Sequence, residues 1–453
     1  MVAIILGVST FPACKVTQPY QQPAAMVSNN LYRNASTTDT TSMATMSWKQ
    51  LFKDSLLQLL IQQGIDHNLD LKIAVTRIQQ AEASLKQSRL AFFPSLNLMA
   101  NGELLKPSAA QLTSNSVYQA YAGASWEADL WGKLKSSKRA ALASLLQSEA
   151  YKQAVQTQLV ADIATNYYIL MAYDAQLKLT IATLDNRKRD AETMKILKES
   201  DVVTGAAVVQ SQANRFSVEV TLPDIEENIQ QTENAISILL GREPNLIKRD
   251  SLSNQMVFTE LNTGIPSLLL ANRPDVKEAE YQFRNSFELV NVAKTYFYPT
   301  LTITGQAGLF NNSLSDFFKG SSFFANVIGG LTQPIFNNGL NKQRLKIAQA
   351  QQEASLLSFK QSLLNAGLEV SNALYSYHAA SRKAISREQQ IAFLQKSVDY
   401  TKQLLKYTTA TNYTDVLTSE QSLLAAQLSS ISDKLQKLQA VVALYRSLGG
   451  GWR

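Results

Sequence analysis

The amino-acid sequence predicts a mainly α-helical protein with a β-barrel part, built from duplicated half-domains that each hold a long antiparallel helical hairpin and one strand hairpin. Three observations carry this. Leu90-Ala91-Phe92-Phe93-Pro94-Ser95-Leu96 returns as Thr295-Tyr296-Phe297-Tyr298-Pro299-Thr300-Leu301. Behind each copy, apolar and polar residues alternate with the period of two that a strand gives. Beyond each alternation lies a proline-free stretch, Leu134 to Ser200 (67 residues) and Leu340 to Thr409 (70 residues). The repeat keeps its register. An offset of 205 takes Pro94 to Pro299, Asp70 to Asp275 and Trp131 to Phe336; it becomes 207 at Gly132 and Gly339, then 208 at Gly241 and Gly449. A period of that length is duplication of a half-domain, not a solenoid array.

At the front, residues 1–14 form a signal segment. The apolar run Val2-Ala3-Ile4-Ile5-Leu6-Gly7-Val8 and the small Ala13 precede Cys14, the chain's single cysteine. That arrangement resembles a bacterial lipoprotein signal and makes Cys14 a lipidation candidate, with a plain cleaved secretory signal as the alternative. Residues 15–47 are Thr-, Ser-, Gln- and Asn-rich and are expected to form an extended tether.

Residues 48–241 form the first repeat. From Trp48 to Leu90, Leu56, Leu59, Leu60, Ile73, Ile78, Ala81 and Leu85 recur at helical spacing, which predicts one amphipathic helix ended by Pro94. Leu96, Leu98, Ala100, Gly102 and Leu104 then alternate with polar neighbours, as do Tyr118, Ala120, Ala122, Ala124 and Trp126, which places a strand hairpin at 94–130 with a polar loop. A long helical hairpin at 134–241 turns near Asp201-Val202-Val203-Thr204-Gly205. At about 1.5 Å per residue its first helix reaches roughly 100 Å.

Residues 242–266 connect the halves, and 267–453 repeat the plan: a helix, a strand hairpin at 299–336, and a helical hairpin at 340–449 turning near Ala410-Thr411-Asn412-Tyr413. Pro94 and Pro299 mark the two strand starts. Strands of about 9 to 11 residues with one apolar and one polar or small face fit a transmembrane barrel, and equally a soluble sandwich. Four strands cannot enclose an interior, so a barrel requires several chains to pool their hairpins.

Composition narrows the function. Of 453 residues 45% are hydrophobic, yet the mean hydropathy is −0.12, and beyond the first residues no run of 18 apolar residues reads as a membrane helix. The net charge of +7 is spread over 43 basic and 36 acidic residues without a basic block, which disfavours nucleic acid. His67 and His378 fall in helical segments far from Cys14, the eight methionines are scattered, and helical carboxylates such as Glu149, Asp162 and Glu369 show no pairing motif. No enzyme, no metal site and no cofactor is expected.

Several motifs, in this order and in duplicated register, resemble the TolC/OprM-type outer-membrane efflux proteins, in their lipoprotein (NodT-like) branch. They are Phe93-Pro94-Ser95-Leu96 with its echo at Tyr298-Pro299-Thr300-Leu301, Leu239-Leu240-Gly241-Arg242-Glu243-Pro244, and Asn272-Arg273-Pro274-Asp275-Val276. Gln333-Pro334-Ile335-Phe336 before Gly339 and Leu448-Gly449-Gly450-Gly451-Trp452 complete them. The likeness covers roughly Trp48 to Arg453. It implies a homotrimer whose twelve strands make one outer-membrane barrel above a periplasmic tunnel of helices. It also implies partners: outer-membrane lipid, a periplasmic adaptor and, through it, an inner-membrane proton-driven pump of the RND type. The function implied is a passive exit duct for small toxic molecules. Type I protein secretion and a structural periplasmic spacer are the alternatives.

A conduit works by electrostatics at its narrowest point, which in proteins of this kind lies at the periplasmic tips. The gate candidates are therefore Asp201 in the first turn and Asn412, Tyr413 and Asp415 in the second, with helix capping as the rival role of Asn412 and Asp415. Ala206 to Val209, with Tyr413, Val416 and Leu417, suit either exposure for docking an adaptor or core packing of the trimer, the two readings being equal. Trp126 and Trp131 are membrane-interface candidates, with core packing as the alternative for either. Pro274 and Asp275 suit a helix start, which accounts for Arg273 structurally.

Overall fold

The computed structural model describes residues 16–23, 31–33, 41–105, 115–258, 261–407 and 412–453; Cys14, most of the first strand-hairpin loop and Ala410-Thr411 lie outside them. In chain order the helices are α1 (Trp48–Leu51), α2 (Ser55–His67), α3 (Leu69–Leu90), α4 (Lys133–Glu199), α5 (Gly205–Glu219) and α6 (Thr221–Leu239). The second half continues with α7 (Leu268–Asn272), α8 (Pro274–Thr295), α9 (Leu340–Tyr407) and α10 (Tyr413–Ser447). The strands are β1 (Ser95–Leu105), β2 (Asn115–Ala128), β3 (Thr300–Asn311) and β4 (Phe323–Thr332).

Duplication is visible in the element starts. α3 and α8 begin at Leu69 and Pro274, β1 and β3 at Ser95 and Thr300, and α4 and α9 at Lys133 and Leu340, all in the repeat register. Both closing glycines end their helices alike. Gly241 (φ 65°) and Gly449 (φ 92°) take the left-handed conformation that glycine alone adopts without cost, and the next residue's N–H reaches back to Ser237 or Tyr445 to complete a Schellman turn. Each also seats against the start of its own repeat: a Cβ at Gly241 would strike the His67 carbonyl, and one at Gly449 the Asn272 carbonyl.

The strands form one antiparallel sheet in the order β1-β2-β3-β4, so β2 and β3 join the two hairpins. The register aligns Leu98, Ala122, Ala307 and Ala325 in one row, and Leu96, Ala124, Gly305 and Val327 in the next. Because successive residues alternate faces, the apolar sets of all four strands share one side, and Asn97, Gly123, Gln306 and Asn326 share the other.

Two expected helices are broken, each for a local reason. The segment 48–90 is three helices, not one, because Asp54 caps α2 through Leu56 N (2.8 Å) and Asn68 caps α3 through Leu71 N (3.0 Å). Its inward residues are Leu57, Leu60, Ile61, Leu71, Ala74, Ala81 and Leu85, whereas Leu59 and Ile73 are exposed. The first return helix divides at Val220 into α5 and α6, because Pro223 has no N–H for the Glu219 carbonyl and its ring crowds that oxygen. Proline-free α10 runs unbroken over 35 residues.

Two compact units form, and each draws on both repeats. One comprises the described residues within 1–24, 76–149 and 278–360, including the whole sheet. In it Asn291 of α8 exchanges hydrogen bonds with the backbone of Gln18 (2.9 and 3.1 Å), and Tyr20 packs edge-on to Phe283 and Phe287. The other comprises those within 25–75, 150–277 and 361–453. Its core gathers Leu57, Ile61, Ile163, Tyr167, Leu170, Met171, Ile236, Leu240 and Tyr445. Tyr167 spends its buried hydroxyl on Asp54 (2.8 Å).

Candidate functional site

Both helical turns lie in the second unit, held by one apolar cluster of Met194, Tyr413 and Leu417, with Leu197, Val203, Ala207, Val208 and Leu405 around it. α4 ends in a Schellman turn: Val202 N bonds to the Leu197 carbonyl (2.9 Å) and Asp201 N to that of Lys198 (3.0 Å). Asp201 therefore occupies the left-handed position (φ 54°) that glycine fills at Gly241 and Gly449. Its side chain is 90% exposed and meets Lys198 Nζ at 3.0 Å, a pair that water screens. Thr204 then caps α5 through Ala207 N (3.3 Å).

In the second turn Asn412 and Asp415 form a reciprocal capping box. Asn412 Oδ1 accepts from Asp415 N (3.1 Å), and Asp415 Oδ2 accepts from Asn412 N (3.2 Å). The Asp415 carboxylate also sits in the first turn of α10, at the positive end of the helix dipole. Of the two readings, packing holds for Tyr413, Val416 and Leu417, which are 7%, 3% and 7% exposed, while Ala207 and Val208 are half-buried against the same cluster. Val202 and Val209 are exposed there, at 65% and 71%, as is Ala206.

Behind this cluster lies a charged network that sequence reading missed. Arg187 of α4 is buried and pairs with Glu420 of α10; Lys402 of α9 reaches the other Glu420 oxygen at 2.6 Å. Asp190 lies 3.9 Å from Arg187, and its Oδ2 is buried without a hydrogen bond of ordinary geometry. Burial, and then the facing Glu420 carboxylate, push the Asp190 carboxyl above the usual carboxylate range. Burial likewise raises the Tyr413 phenol, with Asp190 adding to the effect. A signal was present: Arg187 interrupts the buried run Leu184, Ala191, Met194, and a charge on an apolar helical stripe needs a partner.

Trp126 lies on the apolar face of β2, 36% exposed, and donates its indole N–H to the Phe92 carbonyl (2.9 Å). Trp131 donates to the Pro299 carbonyl (2.7 Å) and stacks on Tyr298 with ring centres 4.9 Å apart. Pro94 and Pro299 each stand one residue before a strand. Thr17 packs on Gly132, next to Trp131. Among the described residues no helix is long and apolar enough to cross a membrane, and no group of three His, Cys, Asp or Glu gathers as for a metal.

Against known proteins, the outer membrane efflux protein family matches residues 60–242 and 265–450. Cation efflux system protein CusC from Escherichia coli (strain K12) is 27% identical over 445 residues, 97% of this chain and 96% of that protein. The probable outer membrane lipoprotein SilC from Salmonella typhimurium is 28% identical over 465 residues, 99% of this chain and 98% of that one. A crystal structure of CusC superposes with a TM-score of 0.88 at 25% identity, covering 97% of this chain and 100% of that one. The open state of the Neisseria gonorrhoeae MtrE outer membrane channel shares the fold, with a TM-score of 0.86 at 24% identity over 97% and 99%.

Proposed function

The chain belongs to the outer membrane efflux protein family, and from that premise we propose that three copies pool their four-stranded sheets into one twelve-stranded barrel. It is an outer-membrane efflux channel with a large periplasmic helical part. The observation that carries the pooled barrel is the strand register, which gathers the apolar sets of four strands on one face while β1 and β4 remain edge strands within the chain's sheet. Lipid then covers the apolar face and water the other.

The duct receives cargo from a periplasmic adaptor and an RND-type inner-membrane pump and passes small toxic molecules outward without doing chemistry on them. Supporting this, CusC and SilC, which match over nearly the whole chain, are named for cation efflux and as an outer membrane lipoprotein. The gate is formed by Asp201 and Asp415, which symmetry turns into acidic rings, with Asn412 holding the second turn and Tyr413 anchoring it from inside. In planar bilayers the wild-type chain is expected to conduct with cation preference, and Asp201→Ala with Asp415→Ala to weaken that preference severalfold by removing six charges from three chains. Unchanged conductance and selectivity would remove both residues from the gate.

Cys14 carries the lipid anchor. Thr17, three residues on, packs on Gly132 beside Trp131, and a tether of three residues spans at most about 11 Å. Labelled palmitate is expected in the wild-type chain and not in Cys14→Ala; equal labelling of both would end the claim.

A further inference from the structure

We propose that Asp190 and Glu420 form a proton-linked latch between the two helical hairpins, holding the turns together when one proton is shared and loosening them when it is lost. This rests on reading those turns as the duct's gate.

The geometry is a buried cluster assembled from four helices. Asp190 and Arg187 lie on α4 of the first hairpin, and Glu420 and Lys402 on α10 and α9 of the second. Asp190 faces Arg187 on its own helix, Lys402 from α9, and Tyr413 and Glu420 from α10; α5 presents only the uncharged Asn214 amide. Both Glu420 oxygens are engaged, one by Arg187 and one by Lys402 at 2.6 Å. Asp190 has no such cover: Arg187 stands 3.9 Å away, and Oδ2 is buried without an ordinary hydrogen bond. The Tyr413 hydroxyl and the Asn214 amide, on residues more than nine-tenths buried, face each other beside this pair. The cluster is therefore under-satisfied at one place, beside the carboxyl pair.

A proton taken from water by Asp190 completes it. The new O–H donates to Glu420, and a repelling carboxylate pair becomes a hydrogen bond between hairpins. The sign follows from the raised Asp190 carboxyl: the folded cluster binds a proton that the free group would release, so the contact is strongest at low pH and is lost as pH rises through the folded value. The tips therefore loosen as pH rises through that folded value.

Single-channel recording of the full chain in planar bilayers, over a pH series that starts in the ordinary carboxylate range and rises from there, tests this, with the open probability rising by up to about tenfold per pH unit, the limit for one linked proton. Asp190→Asn, which donates permanently, is expected to stay at the acid-side value throughout. A pH-independent wild type, or a variant that keeps the full wild-type profile, overturns the latch and leaves the duct reading intact; absence of any conductance overturns both. The wild type alone supplies a second measure should the variant not assemble. Amide exchange at Ala206 to Val209, corrected for its intrinsic pH dependence, must quicken as pH rises, and constancy overturns the proposal.

Discussion

Asn68 and Arg273 occupy equivalent positions in the two repeats and do one job with different chemistry. Asn68 Nδ2 donates to the Leu239 carbonyl (3.0 Å), and Arg273 donates through one guanidinium nitrogen to the equivalent carbonyl of Ser447 (2.8 Å). Arg273 is 5% exposed and adds ion pairs to Asp275 (2.6 Å) and Glu369 (2.9 Å). Removing it strands a buried carbonyl and takes the ion pair from the partly exposed Asp275, while Glu369 keeps Arg446 at 3.3 Å. Arg273→Ala is expected to cost about 2–3 kcal/mol, and Arg273→Asn, copying the first repeat, about half of that, read from thermal unfolding in detergent. Equal losses would show that the carbonyl contact contributes nothing. The helix start at Pro274-Asp275 was legible because proline at the first helical position and an acid in the first turn are local signals. Glu369 and Ser447 were not, since nothing local marks a partner so distant in the chain.

Helices were legible as far as proline and capping chemistry reach. The long runs of α4 and α9 follow from residues that favour helix and from absence of proline, and both begin where the alternation stops. The breaks were less plain, because Asp54 and Asn68 interrupt a pattern that otherwise continues in phase. The halves differ most at Pro223, which splits one return helix while its counterpart stays whole. Pro223→Ala is expected to return an N–H to the Glu219 carbonyl, join α5 to α6 and stabilise by about 1 kcal/mol, seen as a higher melting temperature. A lower one would mean that the break itself is needed to seat α6 through Ile236 and Leu240.

For the whole molecule, the sheet's apolar face is the device that suits the chain to a membrane, and the tryptophans test its orientation. Trp126 lies on that face and Trp131 just beyond the strand end, each with its N–H already satisfied by a backbone carbonyl. In vesicles, lipids brominated near the headgroup are expected to quench tryptophan fluorescence more than those brominated deep in the chain, with the difference largely lost in Trp126→Phe with Trp131→Phe. Stronger quenching from the deep label would move both residues away from the interface.

Alternation, proline placement and the repeat register were sufficient to determine the elements, their order and their duplication, because each rests on neighbours within a few residues or on a constant offset. The barrel-like sheet needed one more fact. Pairing of β2 with β3 merges the hairpins in a register that puts every apolar set on one side, and register is decided by packing across strands rather than along them. The tips needed it more. Tyr413 and Val416 read equally as exposed or packed turn residues, and the meeting of α4, α5, α9 and α10 buries them and closes Arg187, Asp190, Lys402 and Glu420 into one cluster. Residues more than 200 positions apart acquire their charge environment only when folding removes the water between them, so their coupling belongs to the tertiary structure alone.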